Sequence, residues 1–254
     1  MPGAGSRGEL PNMPRPGPRP VYDVLSQRMP AQAARRSIAG MCSNFDNVRP
    51  RPPQADVRTY TTQLLSGALG PIETLHAWPR RDAWVARWDP DAGDWCFAAW
   101  HWSLVPFWSD TRHPKMSTFN ARSETVHRAP AFRGPWREGQ RCLIPLTGWY
   151  ESARKLERKG WVRIRPSTPA ITFAGIWDVW SDKVTGEALH SFSMLTTAAA
   201  PSLARVHDRM PVIIGEHDRE AWLDPATTPD RAHRMLHPVE DEFSLHLAEA
   251  EASP

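Results

Sequence analysis

The residue pair best suited to unusual chemistry is Met41-Cys42, within the stretch SIAGMCSNFDNV at residues 37–48. Removal of the methionine would leave Cys42 as a 1,2-aminothiol, because its α-amine and its thiol then stand on adjacent carbons. Such a group condenses with an aldehyde and closes a five-membered ring. An α-amine with a pKa of about 8 and a thiol with a pKa of about 8.5 both supply nucleophile at neutral pH. The pair therefore predicts capture of a carbonyl group.

Three further segments carry polar side chains where turns at strand ends are expected. They are STFNARSET (117–125), TGWYES (147–152) and ARVHDRMP (204–211). Glu151 follows Trp149 and Tyr150 in the second of them. A carboxyl group in aromatic surroundings tends to have a raised pKa, which suits a general acid.

Each of these residues also has an ordinary explanation. Cys42 alone would most often be a buried and inert thiol. Asn120 would cap a helix or satisfy a turn, and Arg122 with Glu124 would be a solvated surface pair. A single histidine such as His207 is more often structural than catalytic, and Glu151 would face water at a strand exit. Taken one at a time, the residues do not decide between these explanations and catalysis.

The composition is that of an ordinary globular protein, since 41% of the 254 residues are hydrophobic and 23% are charged. A formal charge of +3 is only weak evidence for an anionic partner. Three cysteines without CxxC spacing indicate a reducing, cytoplasmic compartment and argue against disulfides. The histidines lack ligand spacing with the cysteines, so we expect neither a metal nor another cofactor. No apolar run is long enough for a transmembrane helix.

The first 40 residues differ from the rest of the chain. MPGAGSRGELPNMPRPGPRP is rich in Pro, Gly and Arg and lacks the apolar core of a signal peptide. We interpret residues 1–40 as a disordered leader or as an extension from a wrongly chosen start codon. Residues 41–254 are then expected to form a single domain, with a frayed tail at 248–254.

Short aromatic and β-branched segments predict strands. They are AWVARWDP (83–90), WCFAAWHWSLVP (95–106), RCLIPL (141–146), AITFAGIWDVW (170–180), SFSMLTT (191–197) and MPVII (210–214). PDAGD and SDKVTGE are expected turns, and APSLARVH is expected to form a short helix or turn. EHDREAWLDP (216–225) predicts a helix that ends before Pro225. The mixture predicts an α+β fold with mainly antiparallel strands.

The ordered set of segments resembles the SOS response-associated peptidase (SRAP) family of abasic-site processing proteins. The matching segments are Met41-Cys42, WSLVPFW (102–108), NARSET (120–125), RCLIPLTGWYE (141–151), FAGIWDVW (173–180), TTAA (196–199), HDRMPVII (207–214) and WLDP (222–225). The resemblance covers roughly residues 41–225. It implies a curved, barrel-like sheet with a few flanking helices.

The sequence departs from the family pattern at several positions. Ser43-Asn44 stands where the family often has Gly-Arg, which would remove a phosphate contact. Ser103 replaces a glycine, and Ser152 replaces an aromatic residue after the acidic position, where one base contact would be lost. The leader is also atypical, because it blocks the amine of Cys42 unless it is absent or cleaved.

The resemblance implies that the protein binds abasic sites in single-stranded DNA as a monomer and traps them covalently, in the SOS response to DNA damage. Cys42 would form a Schiff base with the opened sugar and then a thiazolidine ring. Asn120 would position the amine or the sugar, and Glu151 would shuttle protons. His207 would stabilise the opened sugar or protonate its ring oxygen.

The resemblance also implies the DNA contacts. Arg122 and Arg209 match the phosphate-contacting arginines, whose planar fork suits phosphate oxygens. Trp108, with Trp102 nearby, would stack on a flanking base or open the strand. Core packing is the alternative for both tryptophans.

Two other functions stay open at this point. Cys42, His207 and Asn120 could instead form a Cys-His-Asn hydrolase acting on other proteins. A non-enzymatic binder of single-stranded DNA is the second alternative. The resemblance also implies that the protein removes its own initiator methionine or leader by cutting the Met41–Cys42 bond. The word peptidase in the family name refers to this removal.

Overall fold

The computed structural model describes residues 44–50, 57–68, 70–152, 155, 161–240 and 243–247, which form eleven strands and five helices. The strands are β1 (Asn44–Val48), β2 (Thr74–Ala77), β3 (Asp82–Asp89), β4 (Asp94–Trp102), β5 (Asn120–Arg122), β6 (Arg141–Ser152), β7 (Trp161–Arg165), β8 (Ile171–Ser181), β9 (Ala188–Ala198), β10 (Arg209–Pro211) and β11 (Ser244–Leu247). The helices are α1 (Val57–Ser66), α2 (Arg133–Arg137), α3 (Pro201–Ala204), α4 (Glu216–Leu223) and α5 (Pro229–His233).

Five of the strands close into a barrel, because their pairings return to the starting strand. β3 pairs with β4 and β6, β6 pairs with β8, and β8 pairs with β9. β9 and β4 complete the ring as a parallel pair, with Phe192 opposite Trp102. β5 also runs parallel to β9, and the other described pairs are antiparallel. The predicted α+β fold with a barrel-like, mainly antiparallel sheet is confirmed.

The inside of the barrel is filled by alternate residues of these strands, as expected where one face of each strand points inward. The buried members include Val85, Trp100, Trp102, Cys142, Ile144, Phe173, Phe192 and Met194. Gly175 of β8 is required by close packing. A Cβ atom at this position would lie 2.6 Å from Sγ of Cys142, so a larger residue would force the strands apart.

The outer face packs against the helices, where Trp136 and Trp222 are buried beside barrel residues such as Leu143. Arg141, at the start of β6, fixes α4 to the barrel. Its Nε donates to the carbonyl oxygen of Trp222 at 2.7 Å, and its Nη2 donates to those of Asp224 and Thr227 at 2.8 and 2.9 Å. These bonds satisfy one carbonyl group in the last turn of α4 and two carbonyl groups that follow the helix.

Strand β1 is joined to the barrel by the side chain of Asn47. Its Nδ2 donates to the carbonyl oxygens of Trp84 on β3 and Pro145 on β6, at 3.0 and 2.9 Å. Its Oδ1 accepts from the backbone N–H of Trp84 at 2.6 Å. Because Asn47 lies at an irregularity in the β1–β6 register, these bonds replace regular ladder bonds. The position of β1 along β6 is thereby fixed.

Most of the predicted elements are present. The strands predicted at 83–90, 170–180 and 191–197 correspond to β3, β8 and β9, and the helix before Pro225 is α4. PDAGD lies in the turn between β3 and β4, and SDKVTGE in the turn between β8 and β9.

Two expectations were wrong. TGWYES does not follow a strand but lies within β6, because this half of β6 pairs with both β1 and β7. The strand predicted at 210–214 ends at Pro211, and Ile213 makes only an isolated bridge to Phe173. No element was predicted for the segment that forms helix α1.

None of the described helices combines the length and the apolar character needed to cross a membrane. Met41, Cys42, the expected leader at 1–40 and the expected frayed tail at 248–254 lie outside the described residues. The predictions made for them stay predictions.

Candidate functional site

Glu151 is held in β6 near the end of the barrel. Its side chain is buried, with the residue only 2% exposed. Trp149 lies two residues earlier and is fully buried against Phe173, at 5.3 Å between ring centroids. Residues two apart on a strand share a face, so the Glu151 carboxyl group points to the core side of β6. It does not face water as the ordinary explanation required.

A run of aromatic contacts joins this part of β6 to the residue before Asn120. Phe45 of β1 is opposite Trp149 in the β1–β6 register and contacts Trp102 at 4.7 Å between centroids. Trp102 contacts Phe119 at 6.0 Å and donates its indole N–H to the Phe119 carbonyl oxygen at 2.8 Å. Asn120 is the next residue and begins β5. The start of β1, Glu151 and Asn120 therefore surround one aromatic cluster.

His207 has a defined hydrogen-bonding role. Its Nδ1 accepts from the backbone N–H of Arg209 at 3.0 Å. In a neutral imidazole, an accepting Nδ1 leaves the proton on Nε2. The ring is half-buried and lies between α3 and β10. The local backbone thus selects the tautomer whose Nε2–H can donate a proton.

β9 brings the remaining residues near one another. β5 lies along one edge of its C-terminal half, with Asn120 opposite Met194, and β10 lies along the other edge, with Met210 opposite Thr197. Lys155, four residues after Glu151, forms an ion pair with Asp208, the neighbour of His207. The segments holding Asn120, Glu151 and His207 thus converge through β9 and this ion pair.

The two candidate arginines have different surroundings. Arg122 is exposed, whereas Arg209 forms a bidentate ion pair with Glu124, one bond of which is 2.8 Å between Nη2 and Oε2. This pair and the Arg122 charge hold the pKa of Glu124 below its usual value. Arg209 also donates to the Thr196 carbonyl oxygen at 2.7 Å. The surface partner of Glu124 is therefore Arg209 and not Arg122.

The two candidate tryptophans also differ. Trp108 is 46% exposed, so its ring can meet a ligand. Trp102 is 0% exposed and belongs to the barrel core. The base contact proposed for Trp102 does not fit this position, because its ring is covered by Phe45 and Phe119.

The two cysteines within the described residues are poor nucleophiles. Cys142 is fully buried in the barrel, and burial raises the pKa of its thiol. Cys96 is half-buried, and burial raises its pKa to about 11, despite the opposing charge of Arg87. Because the thiolate is the reactive form, neither thiol suits catalysis at neutral pH.

Sequence reasoning missed a polar cluster on the outer face beside β1. Asp46 accepts from Nδ1 of His76 at 3.0 Å and forms an ion pair with Arg163. The hydroxyl group of Tyr150 lies 3.4 Å from both carboxylate oxygens. The only available signal was the polar stretch NFDNV, because the partners come from other strands. The cluster stabilises β1 next to Glu151.

A cavity of about 470 Å³ lies elsewhere, between Arg58, Trp88, Trp95 and Glu220. Trp95 and Trp102 are seven residues apart on β4, which corresponds to roughly 23 Å along the strand. The cavity is therefore distinct from the candidate site.

The chain is similar to several proteins named as abasic site processing proteins. It is 34% identical to the protein YoaM of Bacillus subtilis over 143 residues, which cover 55% of this chain and 62% of that protein. It is 28% identical to the protein HMCES of Pongo abelii over 185 residues, which cover 60% of this chain and 52% of that protein. The chain thus spans about half to three-fifths of the length of these curated relatives.

Solved structures share the fold. A protein from Bacteroides thetaiotaomicron matches with a TM-score of 0.66 at 23% identity, over 83% of this chain and 93% of that chain. A protein from Bordetella bronchiseptica also matches with a TM-score of 0.66 at 23% identity, over 82% of this chain and 100% of that chain. The sequence pattern of SOS response associated peptidases matches residues 41–251. With this barrel and this match, the chain belongs to the SOS response associated peptidase (SRAP) family.

Proposed function

We propose that this protein captures abasic sites in single-stranded DNA covalently through Cys42, as a monomer acting in the cytoplasm on damaged nucleoid DNA. The names of its relatives support abasic-site processing as the general activity. The pairings that support the proposal are those of the start of β1 beside Glu151, of Asn120 with β9, and of the strand after His207 with β9, together with the ion pair of Lys155 and Asp208.

Chain connectivity supports Cys42 as the nucleophile. Asn44 begins β1 opposite Tyr150, the residue before Glu151. Two peptide units separate Asn44 from Cys42, so the two Cα atoms are at most about 7 Å apart. This reach would allow the Cys42 thiol to approach the Glu151 carboxyl group in the proposed site. The described thiols, Cys96 and Cys142, are disfavoured by burial.

The proposed reaction has two bond-forming steps. The α-amine of Cys42 attacks the aldehyde carbon of the ring-opened sugar, and loss of one water gives an imine. The thiol then adds to the imine carbon, and its proton passes to the nitrogen, so that a thiazolidine forms without further loss of atoms. The second step is intramolecular, which favours it strongly over attack by a free thiol.

The neighbouring side chains have distinct proposed roles. Glu151 moves protons as the carbinolamine loses water, since a carboxyl group beside the reacting carbon can both donate and accept. His207 donates from Nε2–H to the sugar oxygen, in agreement with its accepting Nδ1. Asn120 orients the sugar or the amine from the start of β5.

The DNA contacts are assigned by exposure. Arg122 is exposed and suits a phosphate group, and Trp108 is exposed enough to stack on a base. Arg209 would reach a phosphate only by sharing its guanidinium group with Glu124. Trp102 supports the site from within the core instead of contacting DNA.

Capture requires that Cys42 has a free amine. We propose that the chain begins at Met41 in the cell or is cut at the Met41–Cys42 bond by its own site. In the cut, the Cys42 thiol would attack the Met41 carbonyl carbon, and the C–N bond to Cys42 would break to give a thioester and a free α-amine. Water would then hydrolyse the thioester, which restores the thiol and releases the segment that ends in Met41 with a carboxylate. This peptidase step would use the same residues as DNA capture.

The family name supports a second candidate function, hydrolysis of peptide bonds in other proteins by Cys42 with His207 and Asn120. The two functions differ in their products. A hydrolase turns over added peptides and leaves no adduct on DNA. A non-enzymatic binder would give neither turnover nor an adduct that survives denaturation.

The test is a denaturing gel with single-stranded DNA that contains one natural abasic site. Wild-type protein should give a stable adduct, and Cys42→Ala should give none. Cys42→Ser, produced as a chain that starts at residue 42 so that no self-cleavage is needed, keeps the amine and loses the thiol, so its adduct should require reduction with borohydride to survive. Equal, unreduced adducts from wild type and Cys42→Ser would contradict the thiazolidine step. Peptide turnover without an adduct would favour the hydrolase.

A further inference from the structure

A long loop between β4 and β5 presents exposed aromatic rings. We call residues 103–119 the aromatic loop. Phe107 is 64% exposed and Trp108 is 46% exposed, and Met116 is also 46% exposed. Exposed rings of this size on a monomer commonly mark a binding surface. The loop ends at Asn120, so it is continuous with the candidate site.

Buried side chains of the barrel hold this loop in place. Asp178 of β8 accepts from the backbone N–H of Phe107 at 2.9 Å, and Ser191 of β9 accepts from that of Val105 at 2.8 Å. The indole N–H of Trp180 donates to the Ser109 carbonyl oxygen at 2.7 Å. Asp178, Trp180 and Ser191 are at most 5% exposed. The loop backbone is therefore pre-organised, although its rings are open to water.

The two ends of the loop are also joined. The backbone N–H of Leu104 donates to the Thr118 carbonyl oxygen at 3.3 Å, and the hydroxyl groups of Ser103 and Thr118 lie 3.2 Å apart. A rigid backbone lowers the conformational entropy lost when a ligand meets the exposed rings. This arrangement favours binding over a role as a flexible linker.

Cationic residues occur in the same loop as Phe107 and in the helix α2 that lies beside its ring. Arg112 and Lys115 of the loop are exposed, and neither makes an ion pair with any described residue. A Cβ atom at Gly134 of α2 would lie 3.9 Å from the Phe107 ring, and the adjacent Arg133 is exposed. Open aromatic rings beside unpaired cations match the chemistry of single-stranded nucleic acid, whose bases stack and whose phosphates are anionic.

The register of β9 relates Phe107 to the capture site. Asp178 is opposite Ser191, and Asn120 is opposite Met194, three residues farther along β9. This offset is roughly 10 Å. Single-stranded DNA with stacked bases rises by about 3.4 Å per base, so about three nucleotides span this offset.

We propose that Phe107, beside Trp108, is a stacking platform for a base within a few nucleotides of the captured sugar. This proposal rests on the proposed function, because the platform would hold DNA that flanks the captured sugar. It assigns this contact to Phe107, the residue before Trp108 in the segment WSLVPFW. Asp178 acts as the positioning residue that fixes the Phe107 backbone.

The test measures binding without covalent capture, using single-stranded DNA with a tetrahydrofuran abasic analogue that has no aldehyde. Phe107→Ala should weaken binding between about 5-fold and about 150-fold in fluorescence anisotropy. Phe107→Tyr should bind within about 2-fold of wild type, because it keeps the ring. Val184→Ala is the matched control, since Val184 is 94% exposed on the neighbouring hairpin. It should bind like wild type.

A second readout locates the stacked base. 2-Aminopurine placed at successive positions beside the analogue should be quenched at one position by wild type and Phe107→Tyr but not by Phe107→Ala. Unchanged binding and quenching in Phe107→Ala, or an equal loss in Val184→Ala, would overturn the platform. If wild type binds and quenches but forms no adduct with natural abasic DNA, the platform stands and the proposed covalent capture fails.

Discussion

At the scale of single residues, the proposed chemistry depends most on the buried carboxyl group of Glu151. Its neighbours on β6 are Trp149, which is part of the core, and Tyr150, which contacts the Asp46 cluster. Such a carboxyl group has little freedom to move, so its effect on proton transfer should be separable from DNA binding. A change that keeps its size and removes its acidity tests this separation.

We expect Glu151→Gln to slow adduct formation by about 100-fold or more, because general acid–base catalysis typically contributes that much. Affinity for the tetrahydrofuran analogue should stay within about 2-fold of wild type. Single-turnover gel assays at saturating DNA measure the first quantity, and anisotropy measures the second. Glu138→Gln is the control, since Glu138 is an exposed surface carboxylate that pairs with exposed Arg137. A wild-type rate in Glu151→Gln would remove Glu151 from the mechanism.

Asp46 gives a prediction on pH dependence. Burial alone would raise its pKa, but the hydrogen bond from His76 and the charge of Arg163 outweigh burial, so its pKa is lowered from 3.8. A lowered pKa in the folded state means that the carboxylate stabilises the protein above the unfolded pKa. This contribution is lost as the pH falls through the folded pKa.

We therefore expect Asp46→Asn to have a lower free energy of unfolding than wild type at pH 7. The difference should shrink once the pH falls below about 4. Urea denaturation at several pH values measures it. Asp91→Asn, in the exposed turn after β3, should match wild type at each pH. A difference between Asp46→Asn and wild type that grows towards low pH would contradict the assignment.

At the scale of elements, local sequence patterns predicted the strands and helix ends that depend mainly on residues close together in the chain. The alternation in AWVARWDP predicted β3, and Pro225 correctly predicted where α4 ends. TGWYES was misread, because its Gly and polar residues are typical of a turn. In the structure these residues are covered on both edges by β1 and β7, which no local pattern reveals.

Arg141 shows how one side chain joins two elements. Its guanidinium group satisfies three carbonyl groups, one in the last turn of α4 and two in the segment after it. Arg141→Leu should lower the free energy of unfolding by about 3 kcal/mol or more, because those buried acceptors lose their donors. Arg137→Leu should cost less than about 1 kcal/mol, since Arg137 pairs only with exposed Glu138. Denaturant titration of both variants measures the difference. Equal losses would show that the Arg141 bonds contribute little.

At the scale of the whole molecule, barrel closure was expected from the family resemblance but could not be predicted from any local sequence pattern. The ring depends on Trp102 lying opposite Phe192, a parallel contact between residues 90 positions apart. The same closure places Trp102 in the core, although its motif suggested a DNA contact. Convergence of Asn120, Glu151 and His207 was expected only by resemblance; the pairings of β9 link the segments of Asn120 and His207, and the Lys155–Asp208 ion pair links the segment after Glu151 to His207.

The overall charge of +3 is too small to direct DNA binding by itself, so individual exposed arginines should matter. For single strands, each phosphate contact contributes about 0.7 to the slope of log Kobs against log salt concentration. Arg122→Ala should reduce this slope by about that amount. Arg231→Ala, at the distant cavity, should leave it unchanged. Equal slopes for Arg122→Ala and wild type would exclude a phosphate contact at Arg122.

The central claim is that the amine and thiol of Cys42 together capture the aldehyde. Mass spectrometry of the purified adduct, intact and after proteolysis, tests it most directly. We predict a chain that begins at Cys42, joined to the oligonucleotide with the loss of one water, and a modified peptide whose first residue is Cys42. An adduct of the same yield on a chain that retains Met41, or one attached at another residue, would contradict the account.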